Sequence, residues 1–298
     1  MSSTQFQKKP NINSKIYLGL VTYPESKYLN QVGVHEDFDS LSKALKINNN
    51  FIYNRNVTDK KSEYFTFLNE ISSIYVLATT LLKSQLNLLL KSYFRNFYYF
   101  FIHLSSAFYI ISRLLMWLFL SYLSSKHKMN YQFMKARQHN ITEAHLFHLK
   151  NFIDSDYEYA LIVEDDFKIN EIYHPEDTII KVLDYIDSNP HVQVFSISES
   201  FDYKKLGLEF ICERSSFKNL QIFDQLLPIT NTVSAVIYKK LFLTKIYDSL
   251  LTLRKHKIIP IDHKLNIVLN ELINKSFYEP KVLSFLSPGL FIQRSLHD

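Results

Sequence analysis

The chain has 298 residues, 47% hydrophobic and 15% aromatic, which is enough apolar material for one large domain and excludes a disordered chain. Its 34 Lys and Arg against 29 Asp and Glu give a dispersed net charge of +5, with pI near 8.9; this excludes nucleic acid as the expected partner and allows only weak attraction to anionic membranes or phosphorylated ligands. One cysteine, Cys212, excludes an internal disulfide and a cysteine-cluster zinc site, and four glycines leave no glycine-rich phosphate loop.

Met1 to Lys15 is polar and lacks the apolar run of a secretory signal, which predicts a cytoplasmic location. Ser14 to Tyr23 is β-rich and closed by Pro24; Asp37 to Lys46 carries a helical pattern, and Phe51 to Asn54 reads as a second strand. After a long apolar stretch, a helix is expected over Glu143 to Phe152, a strand over Tyr159 to Val163, a helix over Asp177 to Ile186 and a strand over Val192 to Ser198. Further strands are expected at Leu208 to Cys212 and Thr232 to Tyr238, helices at Lys240 to Leu251 and His263 to Ile273, and a last extended run from Val282 to Gln293. This alternation predicts an α/β fold with a mainly parallel sheet covered by helices. Cys212 reads as a small buried residue.

Residues 65–128 differ in texture: Leu, Ile, Phe and Tyr dominate, with no proline or glycine to break a helix. The expected organisation is therefore an α/β domain in two parts, 1–64 and 129–298, around a helical insertion at 65–128. Phe97 to Leu123 is long enough to span a bilayer, but His103 and Arg113 within it make a span costly. One crossing would also put the two halves of a single sheet on opposite sides of a membrane. Pairing with Ile71 to Leu90 as a hairpin is opposed by Lys83, Gln85 and Asn87. Two amphipathic helices lying on the inner face of the cytoplasmic membrane, or packed on a partner or on the domain itself, satisfy the pattern better. Lys126 and Lys128 then either face anionic headgroups or form a solvated helix end.

Chemistry concentrates where the apolar strand Tyr159 to Val163 runs straight into Glu164-Asp165-Asp166. Neighbouring carboxylates raise one another's pKa, so such a turn is most stable with a hard divalent ion, Mg²⁺ or Mn²⁺, beside it. At the carboxyl end of a sheet strand it would face a ligand crevice. An acidic turn ending a strand in solvent is the alternative.

Glu143-Ala-His-Leu-Phe-His-Leu-Lys150, followed after a polar loop by Ala160-Leu-Ile-Val-Glu-Asp-Asp166, resembles at a distance the core of family 25 glycosyltransferases, the lipooligosaccharide-type galactosyltransferases. Those carry a Ser-His-Leu helix and then Leu-Ile-Leu-Glu-Asp-Asp at similar spacing; Ala144 stands where the family has serine, and the Asn-Leu-x-x-Arg signature after the first strand is missing. Asn231-Thr-Val-Ser-Ala-Val-Ile-Tyr238 and Pro260-Ile-Asp-His263 extend the likeness. The resemblance implies a GT-A fold that binds a metal-complexed nucleotide sugar, a UDP-sugar first, and transfers the sugar with inversion to a hydroxyl of a glycan or lipid-linked glycan. It implies Asp166 as the direct metal ligand, Glu164 at a metal-bound water or the donor ribose, and Asp165 orienting the donor sugar.

Other residues have two readings each. His145 and His148, three apart on a helix, share a face suited to a metal or to packing, and a structural or acceptor-side role is the better reading of His145. Asp262 is either a helix N-cap or the carboxylate that deprotonates the acceptor hydroxyl. His297, after Gln293 and Arg294, is either a late metal ligand or part of a frayed end. Thr22 and Tyr23, ending the first strand, are positioned for the nucleobase. Two rival functions remain: nucleotidyl transfer or phosphohydrolysis at the same acidic site, and a non-catalytic adaptor that works through its insertion.

Overall fold

The computed structural model describes residues 15–22, 34–45, 50–54, 125–198, 212–225, 233–255, 259–274 and 281–293. The expectations for residues 55–124, which include both apolar segments, and for Leu208 to Ile211, Tyr23, Arg294 and His297 lie outside the described residues. Among the described residues, no helix is long and apolar enough to cross a membrane.

In chain order the elements are β1 (Ile16–Thr22), α1 (Val34–Ala44), β2 (Asn50–Asn54), α2 (Ser125–Asp154), β3 (Tyr159–Glu164), β4 (Phe167–Ile169), α3 (Pro175–Ser188), β5 (Val194–Ser196), β6 (Cys212–Phe217), β7 (Leu220–Gln225), β8 (Ala235–Lys239), α4 (Lys240–Thr252), α5 (Ile261–Asn274), β9 (Leu283–Leu286) and β10 (Phe291–Gln293). Eight strands form one sheet in the order β2-β1-β3-β8-β5-β9-β7-β6, and β4 pairs with β10 in a small second sheet. Strands on either side of the long apolar stretch are direct neighbours, since β1 pairs in parallel with both β2 and β3.

The sheet is mixed, which corrects the expectation of a mainly parallel one. Only β1–β2, β1–β3 and β5–β9 are parallel pairs, while β3–β8, β5–β8, β7–β9 and β6–β7 are antiparallel. The reason is local in one case: β6 and β7 are joined by the two-residue turn Lys218-Asn219, both at positive φ (48° and 69°), the hairpin geometry that forces antiparallel pairing. In the other, β8 runs opposite to both β3 and β5, although neither is joined to it by a short turn.

Strand pleating sorts the core into two layers. Ile16, Leu18 and Leu20 of β1, with Leu161 and Val163 of β3, face Phe38 and Leu41 of α1 and Ile179, Val182 and Ile186 of α3. Tyr17 and Val21, with Ala160 and Ile162, face the other way onto Ala144, Leu149 and Phe152 of α2, Phe242 and Ile246 of α4, and Leu265 and Val268 of α5. The result is a sheet with helices on both faces, as an α/β fold requires. Helix α3 starts where the sequence allows, with Pro175 in its first turn and Glu176 and Asp177 beside the positive end of the helix dipole.

Helix α2 reaches the acidic turn through His145, whose Nε2 is 3.0 Å from Glu164 Oε1. It packs on β1, β2 and β3 and touches α4 and α5. Gly19 permits this approach, because a Cβ there would stand 2.7 Å from His148 Nδ1. His148 is fully buried, with Nε2 3.0 Å from the Leu20 carbonyl and Nδ1 2.9 Å from the Tyr17 hydroxyl. A carbonyl only accepts, so Nε2 carries the hydrogen and the tyrosine hydroxyl donates to Nδ1. His148 is thus a core residue that fixes how α2 sits on β1.

Candidate functional site

Glu164-Asp165-Asp166 sits at the carboxyl end of β3, and the parallel register Val21↔Glu164 sets the end of β1 beside it. Backbone bonds fix the turn: the Glu164 amide donates to the Ser234 carbonyl at 2.8 Å and the Asp165 amide to the Val21 carbonyl at 3.0 Å. The carboxylates do not point into bulk water: Asp165 and Asp166 are each 6% exposed, and the Glu164 side chain 19%.

Each carboxylate is tethered to a different element. The Thr22 hydroxyl, last in β1, donates to Asp165 Oδ2 at 2.6 Å. Gln293 Nε2, brought alongside by the pairing of β10 with β4, donates to Asp166 Oδ2 at 3.0 Å. His145 Nε2, from α2, donates to Glu164 Oε1 at 3.0 Å. The first tether joins two residues named from sequence. The other two bring in Gln293, read there only as part of the tail, and His145, which was read as structural or acceptor-side. Nothing in the local sequence could have paired them with the turn, since they lie 127 and 19 residues away.

Asp262 lies in the first turn of α5, 9% exposed, with Oδ1 accepting the His263 amide at 2.9 Å. Burial holds its carboxyl above the usual carboxylate range, and the negative charge of nearby Glu164 adds to this. Of the residues singled out from sequence, the fold therefore gathers Thr22, His145, Glu164, Asp165 and Asp166 at the carboxyl end of β3, while Asp262 starts α5 within reach of the Glu164 charge. His148 is turned into the core instead. Cys212 opens β6 and is half-buried, not enclosed as expected, because β6 is the last strand of the sheet and all six of its residues are partly or fully exposed.

The donor chemistry suits a hard divalent cation. The turn offers carboxylate oxygens, which Mg²⁺ and Mn²⁺ prefer, and two buried neighbouring carboxylates are costly without positive charge nearby. Among the described residues, no group of three or more His, Cys, Asp or Glu side chains gathers as a metal site. An ion that keeps most of its sphere for water and substrate phosphate needs only one or two protein carboxylates. The chain matches no known protein family, and no curated protein matches it.

Proposed function

We propose that this protein is a metal-dependent glycosyltransferase that moves a sugar from a nucleotide sugar, a UDP-sugar first among them, to a hydroxyl of a glycan or lipid-linked glycan, with inversion. One observation carries the reading: three consecutive carboxylates at the carboxyl end of β3, withdrawn from bulk solvent and each held by a separate element. The sequence resemblance of α2 and β3 to family 25 glycosyltransferases, and through it to GT-A enzymes, supports the same reading.

Asp166 and Glu164 would hold Mn²⁺ or Mg²⁺, which when bound neutralises charge on the departing nucleoside diphosphate. Asp165, anchored by Thr22, orients the donor sugar, and Tyr23 is carried as the base-stacking candidate from sequence alone. Asp262 accepts the proton of the acceptor hydroxyl; burial, with the Glu164 charge adding to it, raises its carboxyl above the usual range, the direction that favours a general base. His297 is carried as a further candidate ligand from sequence alone. The apolar stretch at 65–128 would steer the enzyme to an acceptor on the inner face of the cytoplasmic membrane.

The test is turnover of UDP-sugars with Mn²⁺ and a glycan acceptor extract, followed as released UDP and glycosylated product. Asp166→Asn keeps an oxygen to accept from Gln293 and should leave the melting temperature unchanged, while activity falls by on the order of 100-fold or more. Full activity in that variant would remove Asp166 from the mechanism. Released phosphate products without a glycosylated acceptor would move the chain to the phosphohydrolase class, and failure to bind any nucleoside diphosphate with Mn²⁺ to the adaptor class.

A further inference from the structure

We infer that His145 is a positioning residue that sets the direction of Glu164, an assignment that rests on the acidic turn being the metal and donor site. Helix α2 is fixed on the sheet by His148, whose two ring nitrogens are both engaged with β1. His145, three residues earlier, shares that helix face and is 1% exposed. Because a carboxylate cannot donate, its Nε2 hydrogen points at Glu164 Oε1. The helix that carries this ring is held in place, since it cannot rotate without breaking the Tyr17 and Leu20 bonds.

A glutamate side chain has three rotatable bonds and, left alone, loses rotamer freedom when a ligand fixes it. At Glu164 part of that ordering is already done in the folded chain by the His145 contact. The direction matters because a Glu164 carboxylate turned away from Asp166 could not share a cation with it. The other ring nitrogen of His145, Nδ1, is buried and makes no hydrogen bond among the described residues. Residues that orient a ligating carboxylate in this way are worth 10–100-fold in metal affinity.

The experiment measures Mn²⁺ affinity in the presence of UDP by the loss of the free-ion electron paramagnetic resonance signal. His145→Leu should weaken Mn²⁺ binding about 10–100-fold, and His145→Gln, whose amide can still reach the carboxylate, should recover most of it. In a Glu164→Gln background, the His145→Leu loss should vanish, as expected when one residue acts through the other. Should the leucine variant not fold, His145→Asn repeats the test with a polar side chain that falls short of Glu164. Wild-type affinity in His145→Leu or His145→Asn overturns the inference, as does an equal loss in His145→Gln or an undiminished loss in the Glu164→Gln background. Wild-type protein that binds no Mn²⁺ with UDP overturns the donor-site reading and the positioning role together, whereas wild-type binding beside an unaffected His145→Leu overturns the positioning role alone.

Discussion

Single residues in this protein divide into those whose role was legible from neighbours in sequence and those that needed the fold. The acidic turn was legible because its three carboxylates are consecutive and follow an apolar strand. Its tethers were not, because Thr22 reaches Asp165 only through the β1–β3 register and Gln293 reaches Asp166 only through β10. The two α2 histidines look equivalent in the sequence, yet one serves the site and the other the core. His148 makes this difference measurable. Burial lowers its pKa from 6.5 to about 4, so the ring stays neutral in the fold while the unfolded chain takes up a proton. Stability should therefore fall as pH drops from 6.5 to 4, by up to roughly 3 kcal/mol, and be fully present above that window. Urea midpoints at pH 7 and pH 4.5 check this: His148→Asn should be weaker at pH 7 but lose less between the two values.

At the scale of elements, period and punctuation located β1, α1, β2, β3, α3, α4 and α5 to within a few residues. They failed at the β6–β7 hairpin. Glu213, Arg214, Ser215 and Ser216 of β6 give little β-propensity, and the strand is amphipathic only weakly because it lies at the edge of the sheet. The turn was hidden for a related reason, since Lys218 takes a left-handed conformation that is usually filled by asparagine or glycine. Lys218 is held there with its amine 2.5 Å from Asp184 of α3. Asn219→Gly should relieve the second positive-φ position and, against the added chain entropy of glycine, change stability by about +0.5 kcal/mol or less. Asn219→Val should cost more than about 1 kcal/mol, because a β-branched residue is strained at φ 69°. Thermal melts of the two variants should then separate by several degrees.

For the molecule as a whole, the sequence supplied the layers but not the order of strands, which depends on pairings between segments far apart in the chain. It also concealed a buried charge. Lys264 of α5 is fully enclosed, and its amine makes no hydrogen bond among the described residues. Burial lowers its pKa from 10.5 to about 8, partly offset by the Glu143 carboxylate, which Arg254 also engages. Between pH 8 and 10.5 the unfolded chain keeps a proton that the folded one releases, so stability should rise with pH in that window. From about pH 10 the trend reverses, because burial raises the hydroxyl pKa of Tyr17, Tyr159, Tyr185 and Tyr238, and the unfolded chain sheds those protons first. Lys264→Met, similar in volume, should stabilise the protein by about 1–3 kcal/mol at pH 7 and flatten the rise above pH 8, as read from denaturant midpoints at pH 7 and 9.5. The meeting of α2 with β2 has a different consequence. The chain leaves the sheet after Asn54 and re-enters at Ser125 on an element that packs against the strand it left. In descendants of this protein, the positions with least freedom to drift are therefore Gly19 and His148, where an added atom or a lost ring nitrogen would lift α2 off the strands on which it rests.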